Sequence, residues 1–159
     1  MQGIAIALAL HVLAIVLWIG GVGFVTLALL PALRRIPDPR QRLMLFEALE
    51  RRFSLVARGS ILLAGATGLY LLFRLDAWSW FADVAFWWLD AMVLVWLLFA
   101  LMLFVLEPLL LHRRFHEWAE ASPDTAFAAA LWFHRLMLAL SILTILGAVA
   151  GSHGGSLFG

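Results

Sequence analysis

Cysteine and lysine are both absent from this 159-residue sequence, and only 13% of its residues are charged. The absence of cysteine excludes disulfide bonds, thiolate metal ligands and cysteine nucleophiles. With 65% hydrophobic residues and a mean hydropathy of +1.01, the composition also excludes an ordinary water-soluble domain. The formal net charge of +1 does not point to a nucleic-acid partner, and we expect none. The composition predicts an integral membrane protein whose main partner is the lipid bilayer.

The stretch from Gly3 to Leu30 carries no charge and is long enough to cross a bilayer as one helix. Three further apolar segments follow, so that we place four membrane spans at about 3–30, 54–73, 83–106 and 127–151. The connections between them are short. We therefore expect one integral-membrane domain over residues 1–159, an all-α four-helix transmembrane bundle.

Arginine is concentrated in two of the three connections, which hold the pairs Arg34, Arg35 and Arg113, Arg114. The second connection has one arginine and two aspartates. Arginine favours the cytoplasmic side, so we expect the first and third connections to be cytoplasmic and both termini to be periplasmic. The first connection also repeats apolar residues at helical spacing within 39–52, which predicts a short cytoplasmic amphipathic helix between helices one and two.

Aromatic and small residues point to interfaces rather than to chemistry. Six aromatic residues lie in or just after the second connection and predict a belt among the lipid headgroups: Trp78, Trp80, Phe81, Phe86, Trp87 and Trp88.

Two pairs of small residues have the four-residue spacing that lets helix backbones approach closely: Ala64 with Gly68, and Gly147 with Gly151. Such faces are used within one protomer or across a dimer, and a homodimer is a possible assembly.

Histidine within a membrane span is costly and is therefore a candidate functional residue. Imidazole is a usual axial ligand of haem iron, and a helix bundle lined by small residues can hold a porphyrin. His11 is the best candidate ligand, and Trp18 shares its helix face at a spacing of seven residues. His134 is the next candidate and begins a polar and small stripe on the fourth helix.

The two histidines cannot easily share one iron, because their depths differ by on the order of 15 Å at the helical rise. Pairs at similar depth are His11 with His153, and His134 with His112. A single histidine ligand with an open or non-histidine sixth position is also allowed. His112 and His116 have metal-ligand spacing, but their charged neighbours favour an ordinary interfacial role.

Two charged residues lie at one level near the inner membrane boundary, Arg58 on the second helix and Glu107 on the third. An ion pair that neutralises both is the simpler explanation. The alternative is a cofactor-binding role, in which Arg58 holds a haem propionate. Asp90, on the outer part of the third helix, is available to bond His11.

The first helix, with His11, Trp18, Gly20 and Gly21 followed by Pro31, resembles that of the copper-resistance D (CopD) type of bacterial membrane protein. The second helix is similar to the same family at Arg52-Phe53-Ser54 and at Thr67-Gly68-Leu69-Tyr70. The first helix more loosely resembles HemJ-type membrane proteins. These resemblances cover about half of the chain. They imply a bacterial inner-membrane protein that handles copper or, in the HemJ-type branch, one that binds b-type haem through His11.

The sequence therefore predicts a membrane-embedded b-type haem protein for electron transfer or redox chemistry, with an unknown redox partner. Whether it is an enzyme is open. The first alternative is a copper-handling membrane protein with His11, His153 and Asp90 as ligands, a donor set that suits Cu(II). The second is a cofactor-free interaction protein, in which replacing His11 costs only about 1 kcal/mol of stability from a lost interhelical hydrogen bond.

Overall fold

Apolar runs must satisfy their backbone groups internally when lipid surrounds them, and helices do so. The computed structural model describes the backbone of residues 1–153 and the side chains of that range except 110–113. Its helices follow one another in chain order: α1 (Gln2–Phe24), a π-helical segment (Val25–Leu29), α2 (Leu30–Leu33), α3 (Pro39–Arg74), two 3-10 turns (Ala77–Ala82 and Val84–Phe86), α4 (Trp87–Leu101), a second π-helical segment (Met102–Leu111), α5 (His112–Ala121) and α6 (Pro123–Ser152).

Four helical stretches are long and apolar enough to cross a membrane: Gln2–Leu33, Pro39–Arg74, Val84–Leu109 and Pro123–Ser152. The predicted all-α four-helix bundle is confirmed, and by length and composition the chain is a multi-pass membrane protein. Each stretch is somewhat longer than its predicted span. The helices continue past the apolar windows because polar and charged residues also form helix where no turn residue stops them.

The amphipathic segment before the second span is helical as predicted, but it is not a separate helix. It forms the first part of α3, which begins when the Asp38 side chain accepts a hydrogen bond from the backbone N–H of Arg40. No glycine or proline interrupts 40–58, so the helix runs on. Its start is fixed to α6 by Arg42, whose buried guanidinium lies 2.7 Å from an Asp124 carboxylate oxygen and also donates to the Ile36 carbonyl.

The helices alternate in direction, so the bundle has two distinct ends. The arginine-rich end holds residues 31–52 and 112–123, and the tryptophan-rich end holds 75–86. Near the chain start, Gly3 lies against the Tyr70 hydroxyl at the end of α3, and Gly147 of α6 lies against Trp87 at the start of α4. Both described chain ends therefore lie at the tryptophan-rich end. The main helix pairs are α1 with α3 and α4 with α6.

The two glycines of α6, Gly147 and Gly151, make room for aromatic rings rather than for a neighbouring backbone. A Cβ at Gly147 would lie 2.5 Å from the Trp87 ring, and one at Gly151 would meet the Trp88 indole. These two tryptophans are therefore part of the helix packing, whereas the sequence placed them in the headgroup belt. The exposed Trp78 remains suited to that belt. The glycine spacing in α6 serves packing within one protomer.

We expect Gly147→Ala to lower the free energy of unfolding by about 1–3 kcal/mol, because the new methyl group has to displace the Trp87 ring. The matched control is Gly20→Ala, since a Cβ at Gly20 meets nothing within 4 Å. Alanine is the better helix former, so this control should be neutral or stabilising by up to about 1 kcal/mol. Thermal unfolding of the two variants in detergent measures the difference. Equal effects would show that the ring contact is unimportant.

Two π-helical segments lie in the arginine-rich half of the bundle. In the first, the Thr26 hydroxyl donates to the Val22 carbonyl at 2.6 Å, one turn earlier. In the second, Pro108 has no N–H, and a proline ring in a helix clashes with the carbonyl four residues earlier, which favours the wider turn. The wider turn brings Met102, Leu103 and Glu107 to the lining of one cavity. Short π-helical stretches are frequent at functional sites.

Candidate cofactor cavity

A cavity of about 310 Å³ lies between the helices in the arginine-rich half of the bundle. Its volume is at the lower end of the range for small-molecule sites, about 300–1,000 Å³. Side chains from α1, α3, α4, α5, α6 and the second π-helical segment contribute to its wall. The aromatic members of that wall are Trp18, Phe46, Phe53, Phe99, Phe115, Trp118 and Phe133, and its polar members are Glu47, Glu50, Ser54, Glu107 and His134.

The closed end of the cavity is formed by Trp18, which is 2% exposed and packs edge-on against Phe99 with ring centroids 4.8 Å apart. The indole N–H of Trp18 is buried and has no hydrogen-bond partner within the described part of the chain. An unpaired buried donor costs about 1–3 kcal/mol, so such groups normally have a partner. Because this nitrogen has almost no accessible surface, Trp18 contributes its ring to the cavity wall and not an open donor.

His134 lies on the α6 side of the same cavity. Its Nδ1–H donates to the Ala130 carbonyl oxygen, one turn earlier on α6, at 2.9 Å. A carbonyl can only accept, so this bond fixes the proton on Nδ1 and leaves the lone pair on Nε2. Metal-binding histidines usually have this arrangement, in which the second ring nitrogen donates to a backbone carbonyl or carboxylate. The imidazole of His134 is thus prepared to ligate through Nε2.

Glu107 is held by two groups of α3 and carries no unpaired charge. One carboxylate oxygen accepts from the Ser54 hydroxyl at 2.8 Å and from Arg58 Nη2 at 3.0 Å. The Nε of Arg58 donates to the Leu103 carbonyl at 3.2 Å. Arg58 does not line the cavity. The structure thus places Arg58 in the ion pair that the sequence offered as the simpler explanation, and the propionate role predicted for it has no support.

The other two cavity carboxylates also have partners. Glu47 lies 2.6 Å from Nδ1 of His116 on α5, and Glu50 makes an interaction of its own. Because all three carboxylates are engaged, the cavity presents mostly aromatic and aliphatic surface to a bound molecule. Such a wall suits a flat, largely apolar group.

The structure places His11 outside the lining of this cavity, on the face of α1 that packs against α3. Its Nδ1 lies 3.0 Å from the Ala64 carbonyl and 3.0 Å from the Thr67 hydroxyl, and its ring rests on Gly68. Asp90, offered by the sequence as a partner for His11, is exposed instead. The contacts of His11 connect two helices and explain its presence in a span without a cofactor.

The remaining predicted ligands are not assembled into one site. His153 is exposed, and its Nδ1–H donates to the Val149 carbonyl of its own helix at 2.8 Å. The side chain of His112 lies outside the described residues. Among the residues that are described, no three histidine, aspartate or glutamate side chains are close enough to hold a metal ion. The copper set of His11, His153 and Asp90 is thus not brought together.

Two of the predicted site residues, Trp18 and His134, line the same cavity in the structure. The sequence had not linked them to each other. Sequence reasoning linked Trp18 to His11, because both lie on one face of the first helix. It missed Ser54, the partner of Glu107, and the thioether of Met102 in the cavity wall. The polar and small stripe on α6 that begins at His134 gave a partial signal, since Ser141, seven residues further along the helix, is buried.

Comparison with known protein families, with characterised proteins and with solved structures gives no match for this chain. The resemblance to CopD-type and HemJ-type proteins remains a prediction from the residues of the first two helices.

Proposed function

We propose that this protein is a membrane-embedded b-type haem protein whose haem lies in the cavity between Trp18 and His134. The observation that carries the proposal is the state of His134: its Nδ1–H is held by the Ala130 carbonyl, which leaves Nε2 for a ligand, and the residue lines the cavity. His134 replaces His11 as the first candidate for the axial ligand. A single histidine suffices for haem, so the proposal needs no cluster of three ligands.

The residues of the cavity fit haem in two respects. His134 would supply the axial nitrogen, and the aromatic walls suit a flat macrocycle. Met102 and Met137 also line the cavity, and a thioether is a known partner for histidine at haem iron. Haem would supply one-electron redox chemistry. The walls would exclude water and hold the ring in place.

The proposed location is a bacterial inner membrane, with the arginine-rich end towards the cytoplasm and both termini on the periplasmic side. The arginine pairs in the first and third connections support this orientation. The cavity then lies in the cytoplasmic half of the bilayer. A redox partner would therefore reach the haem most directly from the cytoplasmic side or from within the membrane.

Filling the cavity should block haem binding without disturbing the rest of the bundle. We expect Ala129→Trp, at the cavity wall, to reduce the haem bound at saturation to a few per cent of wild type, because the indole occupies the volume needed. The matched control is Ala139→Trp, an exposed position on the same helix, which should bind haem normally. Titration of haemin into the purified apoprotein, followed at the Soret band, measures both. Equal binding by the two variants would place the haem elsewhere.

A further inference from the structure

The cavity is closed at one end and open at the other. Trp18, Ala57 and Phe99 at the closed end are 2%, 1% and 7% exposed, whereas Trp118 on α5 is 44% exposed. Trp118 and its neighbour on the helix, Phe115, complete the wall at the open end. Phe133 of α6, which also lines the cavity, is 36% exposed, so α5 forms one part of the open side, the part towards the arginine-rich end.

A histidine between two carboxylates fastens this helix to α3. Nδ1 of His116 lies 2.6 Å from a Glu47 carboxylate oxygen, and its Nε2 lies 3.4 Å from Glu120 on the next turn of α5. Glu47 itself lines the cavity. The contact thus joins the wall of the cavity directly to a helix that forms part of its open side.

We propose that α5 covers the cavity mouth at the arginine-rich end and that the ion pair between protonated His116 and Glu47 holds α5 in this closed position. We call this ion pair the clasp. If the clasp regulates the uptake of haem, that role rests on the proposed function. Its effect on access to the cavity does not, because it is the same for any molecule that the cavity binds.

The surrounding charges favour the protonated imidazole. The hydrogen bond to Glu47 raises the pKa of His116, attraction to Glu47 and Glu120 adds to this, and partial desolvation opposes it. Of the other acidic groups nearby, Asp124 at the start of α6 is held by Arg42, and Glu50 and Glu117 have interactions of their own. A raised pKa means that the clasp is complete below pH 6.5 and is lost as the pH rises through the higher value of the folded protein.

The absence of cysteine makes a direct test possible, because a single introduced thiol is the only target for a maleimide. Ala57→Cys places this thiol at the closed end of the cavity. The rate of labelling by a water-soluble maleimide is measured in detergent from pH 6 to pH 8.5, with and without His116→Gln. The ionised fraction of the thiol changes with pH but affects both labelling rates alike. The ratio of the two rates at each pH is therefore independent of it.

We expect His116→Gln to label about two- to fivefold faster than its parent at pH 6, the effect of breaking a partly exposed charge pair, and equally fast at pH 8.5. Glu47→Gln removes the other side of the clasp and should give the same result. A ratio of one at pH 6 for both variants, or a ratio that does not change with pH, would overturn the proposal. No haem is needed, so a failure of the haem proposal would leave this result unaffected.

Discussion

Replacing His134 by alanine should remove haem from the protein. We expect the affinity for haem to fall by at least about a hundredfold, since even the loss of an outer partner of a metal ligand costs about 10–100-fold. The substitution removes an imidazole whose other nitrogen bonds the Ala130 carbonyl of the same helix, so no second helix loses a partner. Haem content per protein, measured from the reduced spectrum after expression with haem supplied, gives the result.

The matched control is His11→Ala, at the other half-buried histidine in a span. His11 bonds Ala64 and Thr67 of α3 and does not line the cavity, so we expect full haem content and a stability loss of about 1 kcal/mol. The opposite pattern, with haem lost from His11→Ala and retained by His134→Ala in folded proteins, would restore the sequence-based assignment and contradict the one proposed here.

Breaking the ion pair at the cavity edge should have the largest effect on stability. Arg58→Ala leaves the Glu107 carboxylate with the Ser54 hydroxyl as its remaining described partner. Removal of one member of a fully buried pair costs about 3–5 kcal/mol, and we expect about 2–3 kcal/mol here. The discount reflects exposed fractions of 31% for the Arg58 side chain and 18% for that of Glu107. Thermal or denaturant unfolding in detergent measures the loss.

The double variant Arg58→Leu with Glu107→Leu separates charge from packing. Replacing both members of a buried pair by apolar residues is often neutral or stabilising, so it should recover most of the stability lost by the single variant. A double variant that is as unstable as Arg58→Ala would show that the shape of the arginine, and not the unpaired carboxylate, is what matters. If Arg58 held a propionate, the single variant would instead lose haem while keeping its stability.

The helices and their number followed from the sequence because apolar run length alone decides whether a helix can cross a bilayer. The ion pair between Arg58 and Glu107 was also predictable, since two opposite charges at one membrane level have few other ways to be neutralised. The continuous α3 was not predicted. The polar residues before the second span indicated that this segment lies at the membrane interface. They did not indicate whether a helix ends there. No glycine or proline lies between the segment and the span, so the helix continues.

Which residues line the cavity depends on how each helix is rotated about its axis and on which helices are neighbours. The spacing of residues in the sequence gives neither. Trp18 and His11 share a face of α1, yet Trp18 contacts Phe99 of α4 while His11 contacts α3, because one wide helix face meets two neighbours. The second π-helical segment also shifts the residues after Met102 relative to an ordinary α-helix. A projection based on 3.6 residues per turn therefore misplaces the side chains of that segment.

The most direct test for bound haem is an absorption spectrum of the detergent-purified protein, air-oxidised and then reduced with dithionite, with iron and copper counted on the same sample. We expect a Soret band, sharp α and β bands after reduction, and about one iron per chain without stoichiometric copper. A colourless protein that remains so after haemin is supplied would contradict the haem proposal. Bound copper in that colourless protein would point to a copper-handling protein, and the absence of both metals to a cofactor-free interaction protein.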